Sequence, residues 1–361
     1  MKSQNKKISG IKDIALKANV SIGTVDRVLH NRGEVSEATK EKVLKIVEEL
    51  EYTPNILAQS LASKKKYTIA VLIPDYKFDN PYWEKSLNGI RKAAVEVRNY
   101  NFEIVYFLYE LGNEESVTLK AKEIFNLKPD GLIYAPLMYE VSTKVICRCD
   151  ELFIPYIFID VTIENCKNLA YFGLDPVQSG LVAARLLDFG LPEKADIHII
   201  KLVNKSISSY QLDLRERGFS SYFSTNGRIN MHKIVSTEIN ISSIVSFEKA
   251  LSKIIAPSES PRALFVPNSR VYHVAKYLYD SKQENNILIG YDLIEENVDY
   301  LNKGIIHFLI SQNPEEQGYN SVMAFLNYLT FKKPLRKLNL SPIDIIVKEN
   351  IDCYKNKNRI L

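Results

Sequence analysis

Short apolar runs alternate with longer amphipathic segments from Thr68 almost to the end of the chain. TIAVLIPD precedes PYWEKSLNGIRKAAVEV, RALFVPN precedes VYHVAKYLYD, and IIHFLISQ precedes EEQGYNSVMAFLNYL. An apolar run is typical of a strand buried on both faces, and an amphipathic segment is typical of a helix packed on a sheet. Because this order of strand and helix continues for 294 residues, it predicts two doubly wound α/β lobes, each built on a parallel sheet. In such sheets, ligands lie beyond the carboxyl ends of the strands.

The first 52 residues show a different pattern, three short helical segments separated by polar turns. Residues 11–18 place apolar side chains at i, i+3, i+4 and i+7, which predicts a two-turn helix with one buried stripe. Ser21 is a favourable N-cap for a second helix, and Val35-Ser36 begins a third that runs to about Leu50. The inward-facing residues expected of this third helix are Val43, Leu44, Val47 and Leu50. This arrangement predicts a small all-α helix-turn-helix headpiece.

The positive charge of the chain is confined to its N-terminal fifth. Residues 1–67 hold 13 Lys and Arg against 8 Asp and Glu, whereas the remaining 294 residues hold 34 against 35. A basic segment on a nearly neutral body is typical of a protein whose small part binds a polyanion.

The sequence predicts no metal site, no cofactor and no catalytic residue. Its four cysteines, Cys147, Cys149, Cys166 and Cys353, form no C-x-x-C pair and no cluster with the five histidines, so we expect reduced cysteines that serve in packing. The sequence contains neither a phosphate-binding loop nor a nucleophile elbow. It also lacks an apolar stretch of about 18 residues and the apolar core of a signal peptide, so we expect a cytoplasmic protein without a membrane partner.

A specific resemblance is carried by IKDIALKANVSIGTVDRVLHN, by the V-S-x-x-T that follows, and by Y-T-P-N-x-x-A-x-x-L. These motifs resemble the headpiece of the LacI/GalR family of bacterial transcription regulators. The rest of the chain resembles the core of that family, which has the type I periplasmic binding protein fold. The resemblance implies a headpiece at 1–52, a hinge helix or linker at 53–67, and a ligand-binding and dimerisation core at 68–361. The implied lobes are about 68–172 with 311–341, and 173–310 with 342–357.

By this resemblance, the second helix enters the major groove of DNA. Arg27 has the fork that binds guanine O6 and N7, Ile22 packs on a thymine methyl group, and Gly23 permits a close approach of the backbone. Asp26 stands where the family usually has serine. It either pairs with Arg27 or Arg32 and orients it, or accepts a hydrogen bond from a cytosine amino group. The implied DNA-contacting residues are Ser21, Ile22, Gly23, Thr24, Asp26, Arg27, Asn31, Asn55, Ala58, Gln59 and Leu61.

Leu61 is the most specific residue of the implied hinge. The leucine of A-x-x-L inserts into the minor groove in this family and bends the duplex. The alternative is an ordinary apolar residue of a linker. Its spacing from Pro54-Asn55 favours insertion, and Lys64 to Lys66 are placed to contact phosphates.

The implied ligand site begins at D-N-P-Y-W, an amide followed by two flat rings, which suits the hydroxyls and the C–H faces of a sugar. In the family, the arginine at Arg215 clamps sugar hydroxyls. For Trp83 the alternative is a buried aromatic pair, and for Asp175 and Asp292 it is a helix cap. The implied ligand-binding residues are Asn80, Tyr82, Trp83, Asp160, Asp175, Arg215, Asn268, Asp292 and Gln312.

The leading hypothesis is a dimeric repressor that binds a near-palindromic operator and responds to a small sugar-like effector between its lobes. A solute-binding protein that serves a transporter would explain the core but not the first 67 residues. A glycosidase would need two cleft carboxylates in acid and base roles. The mixture of Asp, Asn, Arg and Gln predicted in the cleft is instead typical of hydroxyl recognition, so the sequence does not predict an enzyme.

Overall fold

The structure of the chain is a computed structural model. It describes residues 10–29, 32–50, 52, 65–77, 81–192, 194–203, 210–227, 232–241, 243–255, 262–283 and 285–357, the last three without their side chains. The chain divides into two compact units, one ending at Lys64 and the other beginning at Lys65.

The strands are β1 (Tyr67–Pro74), β2 (Phe102–Tyr109), β3 (Gly131–Tyr134), β4 (Tyr156–Ile159), β5 (Ala170–Gly173), β6 (Asp196–Val203), β7 (Lys233–Asn240), β8 (Arg262–Phe265), β9 (Asn286–Tyr291), β10 (Phe308–Ser311), β11 (Leu338–Leu340) and β12 (Asp344–Ile346). The helices are α1 (Ile11–Ala18), α2 (Ile22–Leu29), α3 (Glu37–Glu49), α4 (Tyr82–Val97), α5 (Glu114–Leu127), α6 (Tyr139–Glu151), α7 (Pro176–Gly190), α8 (Tyr210–Thr225), α9 (Ile244–Ile254), α10 (Val271–Asp280), α11 (Glu295–Asn302), α12 (Pro314–Leu329) and α13 (Ile351–Lys357).

The first unit is the predicted headpiece, with α1, α2 and α3 around one small core. Ser21 caps α2 by accepting a hydrogen bond from the Thr24 amide at 3.0 Å, and Asn19 ends α1 in the left-handed conformation. A short turn therefore separates these two helices, as the sequence predicts. The buried apolar residues of this unit are Ile14, Ala15, Ala18, Val25, Val28, Val43 and Ile46.

The prediction for the inward face of α3 was wrong at one position. Leu44 is 45% exposed, whereas Ile46 is buried with Val43. Residues 43, 46, 47 and 50 follow the i, i+3, i+4, i+7 spacing of a single helical stripe, and position 44 lies about 100° away from Val43 around the helix. The helical period, rather than residue type, therefore decides which of the two side chains is buried.

The second unit contains two six-stranded sheets, which confirms the predicted pair of doubly wound lobes. Lobe 1 has the strand order β11-β5-β4-β3-β1-β2, and lobe 2 has β12-β10-β9-β8-β6-β7. Neighbouring strands are parallel except for β10 and β12, which are antiparallel. Helices cover both faces of each sheet and enclose separate apolar clusters on the two sides. Corresponding strands therefore occupy the same places in the two lobes.

The chain passes between the lobes three times: after β5, after β10, and between β11 and β12. The first two passages lead directly into helices. After β5 the chain enters α7, which packs on α8 of lobe 2, and after β10 it enters α12, which packs on α4 of lobe 1. Each lobe thus receives a helix whose preceding strand belongs to the other lobe.

Both of these helix pairs approach so closely that glycine is required at the contact. A Cβ atom on Gly89 of α4 would lie 1.8 Å from the carbonyl oxygen of Glu315 in α12. In lobe 2, a Cβ atom on Gly180 of α7 would lie 2.0 Å from the carbonyl oxygen of Arg215 in α8. These distances are far below van der Waals contact, so the absence of a side chain sets the spacing of both pairs.

Gly89→Ala should therefore destabilise the chain by about 1–3 kcal/mol, because the added methyl group must push α4 and α12 apart. Asn88→Ala is the matched control on the exposed face of the same helix, and we expect it to change stability by no more than about 0.5 kcal/mol. Urea unfolding of the full chain measures both effects. Equal stabilities of the two variants would contradict the close packing.

Candidate functional site

The headpiece presents the N-terminal half of α2 to solvent. Val25 and Val28 point into the core, which leaves Ser21, Gly23 and Arg27 on the exposed side, with Ile22 46% exposed. The Ser21 and Thr24 hydroxyls lie 2.9 Å apart and close the first turn. An exposed helix start of this kind is what a recognition helix presents to base edges.

The Arg27 side chain lies between two glycines. A Cβ atom on Gly23 would lie 4.0 Å from Arg27 Nη2, and one on Gly33 would lie 3.5 Å from Arg27 Cδ. Gly33 also has a positive φ of 72°, a conformation that favours glycine. Neither neighbour therefore crowds the guanidinium group.

Six predicted site residues lie outside the described residues: Asn31, Asn55, Ala58, Gln59, Leu61 and Asn80. Their roles stay predictions, as does the choice between the two interpretations of Asp26.

A cavity of about 140 Å³ lies between the two lobes, at the carboxyl ends of the strands of both sheets. This volume holds a small molecule rather than a single water. Seven of the predicted ligand-binding residues line it: Tyr82, Trp83, Asp160, Arg215, Asn268, Asp292 and Gln312. Separate parts of the sequence therefore converge on one place.

The two lobes contribute to the cavity in a matching way. Asp160 directly follows β4 and Asp292 directly follows β9, and these strands hold the same place in their sheets. Tyr82 lies in α4, the helix after β1, and Arg215 lies in α8, the helix after the corresponding strand β6. Each lobe thus provides one carboxylate from a strand end and one polar side chain from a helix.

The two aspartates also share an uncommon backbone conformation. Their φ angles are 63° for Asp160 and 69° for Asp292, in the left-handed region. The Asp160 amide donates to the carbonyl oxygen of Phe172 on β5, and the Asp292 amide donates to that of Ile310 on β10, both at 2.9 Å. This conformation costs a non-glycine residue about 1–2 kcal/mol, and such residues cluster at functional sites.

A buried network connects the polar groups of lobe 2. Arg215 Nη2 donates to Gln312 Oε1 at 2.5 Å, and Gln312 Nε2 donates to Asp292 Oδ2 at 2.8 Å. Arg215 Nη1 donates to the carbonyl oxygen of Pro267 at 2.7 Å, and the guanidinium carbon lies 4.1 Å from the ring centre of Tyr291. Gln312 thus uses both ends of its amide to hold Arg215 and Asp292 in place.

This network leaves two polar atoms without a partner among the described residues, Arg215 Nε and Asp292 Oδ1. Both side chains are buried, so each unpaired atom costs about 1–3 kcal/mol relative to a satisfied one. One is a donor and the other an acceptor, and both residues line the cavity. A hydroxyl-bearing ligand satisfies both kinds of group, because a hydroxyl both donates and accepts.

Lobe 1 faces the cavity with an aromatic pair and an acid. The Tyr82 hydroxyl donates to Asp160 Oδ1 at 2.5 Å, and the Tyr82 and Trp83 rings meet edge to face with centroids 5.1 Å apart. Trp83 is almost fully buried but still lines the cavity. The buried aromatic pair is therefore present, and contact between Trp83 and a ligand stays a prediction.

Burial raises the pKa of Asp292 from 3.8 to about 7, against the opposing effects of the Arg215 charge and the Gln312 hydrogen bond. Burial also raises the pKa of Asp160, although the hydrogen bond from Tyr82 and the charge of Arg215 lower it. Near neutral pH, Asp292 is therefore present in both protonated and ionised forms. It can donate or accept a hydrogen bond within the cavity.

Asp175 is a helix cap and does not belong to the lining of the cavity. Its carboxylate accepts a hydrogen bond from the Gln178 amide at 3.0 Å at the start of α7, where Pro176 occupies the first turn. The expectation that it contacts ligand is therefore corrected in favour of the alternative. Asn268 does line the cavity, but its amide also donates to the carbonyl oxygen of Leu202 and accepts from the Arg270 amide.

Several site residues were missed in the sequence. Tyr291 lies against Arg215, and Asn297 donates to the carbonyl oxygens of Tyr291 and Asp292. Tyr291 directly precedes Asp292 and Asn297 follows it by five residues, so the sequence around Asp292 offered a signal for both. A third is Gln317, which lies five residues after Gln312 and donates to its carbonyl oxygen.

The lobes also contact each other outside the polar network of the cavity. The Tyr210 hydroxyl of lobe 2 donates to Glu164 Oε1 of lobe 1 at 3.0 Å, and Lys85 Nζ of lobe 1 donates to the carbonyl oxygen of Leu293 in lobe 2 at 2.5 Å. Ile294 of lobe 2 packs within the apolar cluster of lobe 1. These contacts join the two lobes directly.

Two family models match the chain. Residues 69–333 match the periplasmic binding protein domain, and residues 10–55 match the bacterial regulatory proteins of the lacI family. The first covers most of the second unit, and the second covers the three helices of the headpiece. Among the described residues, no helix has the length and apolar character needed to cross a membrane.

The chain is also similar to individual transcription regulators and sugar-binding proteins. The HTH-type transcriptional regulator RegA of Clostridium acetobutylicum is 31% identical over 173 residues, 44% of this chain and 49% of RegA, so the chain spans about half the length of this curated relative. A crystal structure from Bacteroides fragilis, assigned to a LacI transcriptional regulator, is 32% identical with a TM-score of 0.74, and the match covers 80% of this chain and 100% of that one. GanP, a glucose-galactose binding protein from Geobacillus stearothermophilus, is 25% identical with a TM-score of 0.68, covering 80% and 99%.

The raised pKa of Asp292 predicts a specific pH dependence of stability. Because the folded state holds this proton up to about pH 7 and the unfolded state loses it near pH 4, the contribution of Asp292 to the free energy of unfolding falls as pH rises through that window. Asp292→Asn removes this contribution. We expect wild type to lose more stability than Asp292→Asn between pH 5 and pH 7.5, measured by urea unfolding; identical changes would contradict the assignment.

Proposed function

Because the chain belongs to the lacI family of bacterial regulatory proteins, we propose that it is a cytoplasmic transcription repressor whose operator affinity is set by a small sugar-like effector in the interlobe cavity. The observation that carries the effector proposal is the pair of unpartnered polar atoms on Arg215 and Asp292. A polyol supplies a partner for each, and the Tyr82 and Trp83 rings cover its apolar C–H faces.

DNA binding is assigned to the headpiece. Its α2 begins with an exposed turn, Arg27 is uncrowded by its neighbours, and the first 67 residues carry the positive excess of the chain. Guanine recognition by Arg27 supplies base specificity, and the lysines of this region supply affinity through phosphates. In this proposal Leu61 inserts into the minor groove, as the family resemblance implies.

The proposed active form is a dimer on a near-palindromic operator, since two recognition helices read two half-sites. Lobe 1 offers a surface for self-association on α4 and the edge strand β2. Arg91 and Val95 lie on the exposed side of α4, and Arg98 follows its last residue directly. The charges of both arginines act on Tyr106 of β2. Val95 and Tyr106 are exposed apolar residues, which is typical of a surface that another chain covers.

The effector proposal predicts that Arg215→Met abolishes ligand binding while leaving DNA binding intact. The test is a thermal-shift screen of the full chain against D-glucose, D-galactose, D-ribose, D-xylose and their sugar acids, in which an effector at 100 times its Kd stabilises by about 2.7 kcal/mol. Arg185→Met is the matched control, because Arg185 also stacks on an aromatic ring of lobe 2, that of Phe189. A shift that persists in Arg215→Met would remove Arg215 from the site.

The DNA proposal predicts a loss of specificity on Arg27→Ala. Selection from a pool of random duplexes gives the preferred site of the wild-type protein. The variant should lose preference at one base pair of each half-site, by about 1–3 kcal/mol. Lys17→Ala is the control, because Lys17 is an exposed basic residue paired with Glu49 and should leave the preferred site unchanged. An unchanged site for Arg27→Ala, or binding to no duplex by the wild type, would overturn the proposal.

A further inference from the structure

Gln317 lies in the first turns of α12, just after the passage of the chain from lobe 2 to lobe 1, and is 2% exposed. Its Nε2 donates to the carbonyl oxygen of Gln312 at 2.7 Å, and its Oε1 accepts from the Asp160 amide at 3.1 Å. It is not one of the residues that line the cavity. Gln317 therefore stands behind the site and binds the backbone on both sides of it.

These two bonds complete a chain of buried polar contacts from one lobe to the other. Asp160, at the end of β4 in lobe 1, contacts Gln317, and Gln317 contacts the backbone of Gln312 at the passage. The side chain of Gln312 then contacts Arg215 and Asp292 in lobe 2. The two strand-end aspartates are thus connected through two glutamines. We refer to these five residues as the glutamine relay.

The backbone along the glutamine relay is held in an unfavourable conformation at three points. Asp160 and Asp292 have positive φ, and so does Asn313, which joins Gln312 to α12 with φ of 54°. Such conformations persist when surrounding contacts hold them in place. The Gln317 side chain contacts the backbone at two of these points, since it binds the carbonyl group of Gln312, directly before Asn313, and the amide of Asp160.

We propose that Gln317 is a positioning residue that couples occupancy of the cavity to the relative orientation of the two lobes. This inference rests on the proposed function. An effector that contacts Asp160 in lobe 1 and the Arg215–Asp292 pair in lobe 2 favours the arrangement in which the glutamine relay is intact. An arrangement in which the lobes have moved apart separates Asp160 from Gln312 and so breaks the glutamine relay. The glutamine relay thereby contributes to the difference in free energy between the arrangement with the lobes together and the arrangement with the lobes apart. Coupling requires that ligand binding change this difference.

A purely structural role predicts a different outcome. A buried amide that only satisfies backbone groups would lower stability when removed and would leave the ratio of operator affinities with and without effector unchanged. Asn168 has such a role in lobe 1. Asn168 is buried, donates to the carbonyl oxygen of Ala170 and accepts from Lys337 Nζ. It lies just before the amino end of β5, whereas the cavity lies at the carboxyl ends of the strands.

The experiment compares Gln317→Met, which keeps the length of the side chain and removes both hydrogen bonds, with the matched control Asn168→Leu. The operator Kd of the full chain is measured with and without saturating amounts of the sugar that gives the largest thermal shift in wild type. The coupling is the factor by which the sugar changes the operator Kd, which usually lies between about 5 and 150. Gln317→Met should reduce this factor to below about 3, and Asn168→Leu should leave it at the wild-type value. Gln317→Glu keeps the acceptor for Asp160 but loses the donor to Gln312, so this factor should also fall.

A second measurement needs no effector. Spin labels on Leu119→Cys in lobe 1 and Ile244→Cys in lobe 2, both exposed positions, report the distance between the lobes once the native cysteines are replaced by serine. Gln317→Met should broaden this distance distribution relative to wild type and to Asn168→Leu. Wild-type coupling and an unchanged distance distribution in Gln317→Met would overturn the inference. A wild-type protein without any sugar response would instead count against the proposed effector, and the distance measurement would still test the relay.

Discussion

The unsatisfied hydrogen-bonding capacity of Arg215 and Asp292 is the constraint on which the interlobe site depends. A buried guanidinium group and a buried carboxylate are tolerated only when most of their polar atoms form hydrogen bonds. Gln312 accepts one from Arg215 and donates one to Asp292. What remains is one unpaired donor and one unpaired acceptor on two residues that line a small cavity. In the proposed function, a ligand that pairs with both atoms removes the cost in stability of leaving them unpaired.

The parallel topology explains why the predicted ligand residues meet. All strands of the two sheets except β12 run parallel to their neighbours, so their carboxyl ends lie at the same edge as the cavity, and a residue that directly follows a strand is brought near it. Asp160 and Asp292 could be predicted because each follows an apolar run directly, and the helix-turn-helix could be predicted because its stripes and caps are local. Such features depend on a few neighbouring residues, whose periodicity is visible in the sequence.

Features set by distant contacts could not be predicted in this way. Asp175 also follows a strand, but Pro176 begins α7 immediately after it, and the carboxylate caps that helix instead of facing the cavity. The edge strand β7 could not be predicted from an apolar run, because Ile239 is the one buried residue among its eight. Gln317 was missed because its importance comes from two backbone groups that are 157 residues and five residues away. Nothing in its own residue type indicates those partners.

The arrangement of glutamines has a consequence for how a regulator of this kind responds. A ligand that binds two lobe orientations equally well shifts neither, however tightly it binds. Contacts that are the same in both orientations, such as the packing of Arg215 on Tyr291 within lobe 2, contribute to affinity alone. Response has to come from contacts that join the lobes: Glu164 with Tyr210, Lys85 with Leu293, and the glutamine relay. In this proposal Gln317, which does not line the cavity, acts on the response alone, whereas Asp160, Arg215, Asp292 and Gln312 take part both in ligand binding and in the glutamine relay.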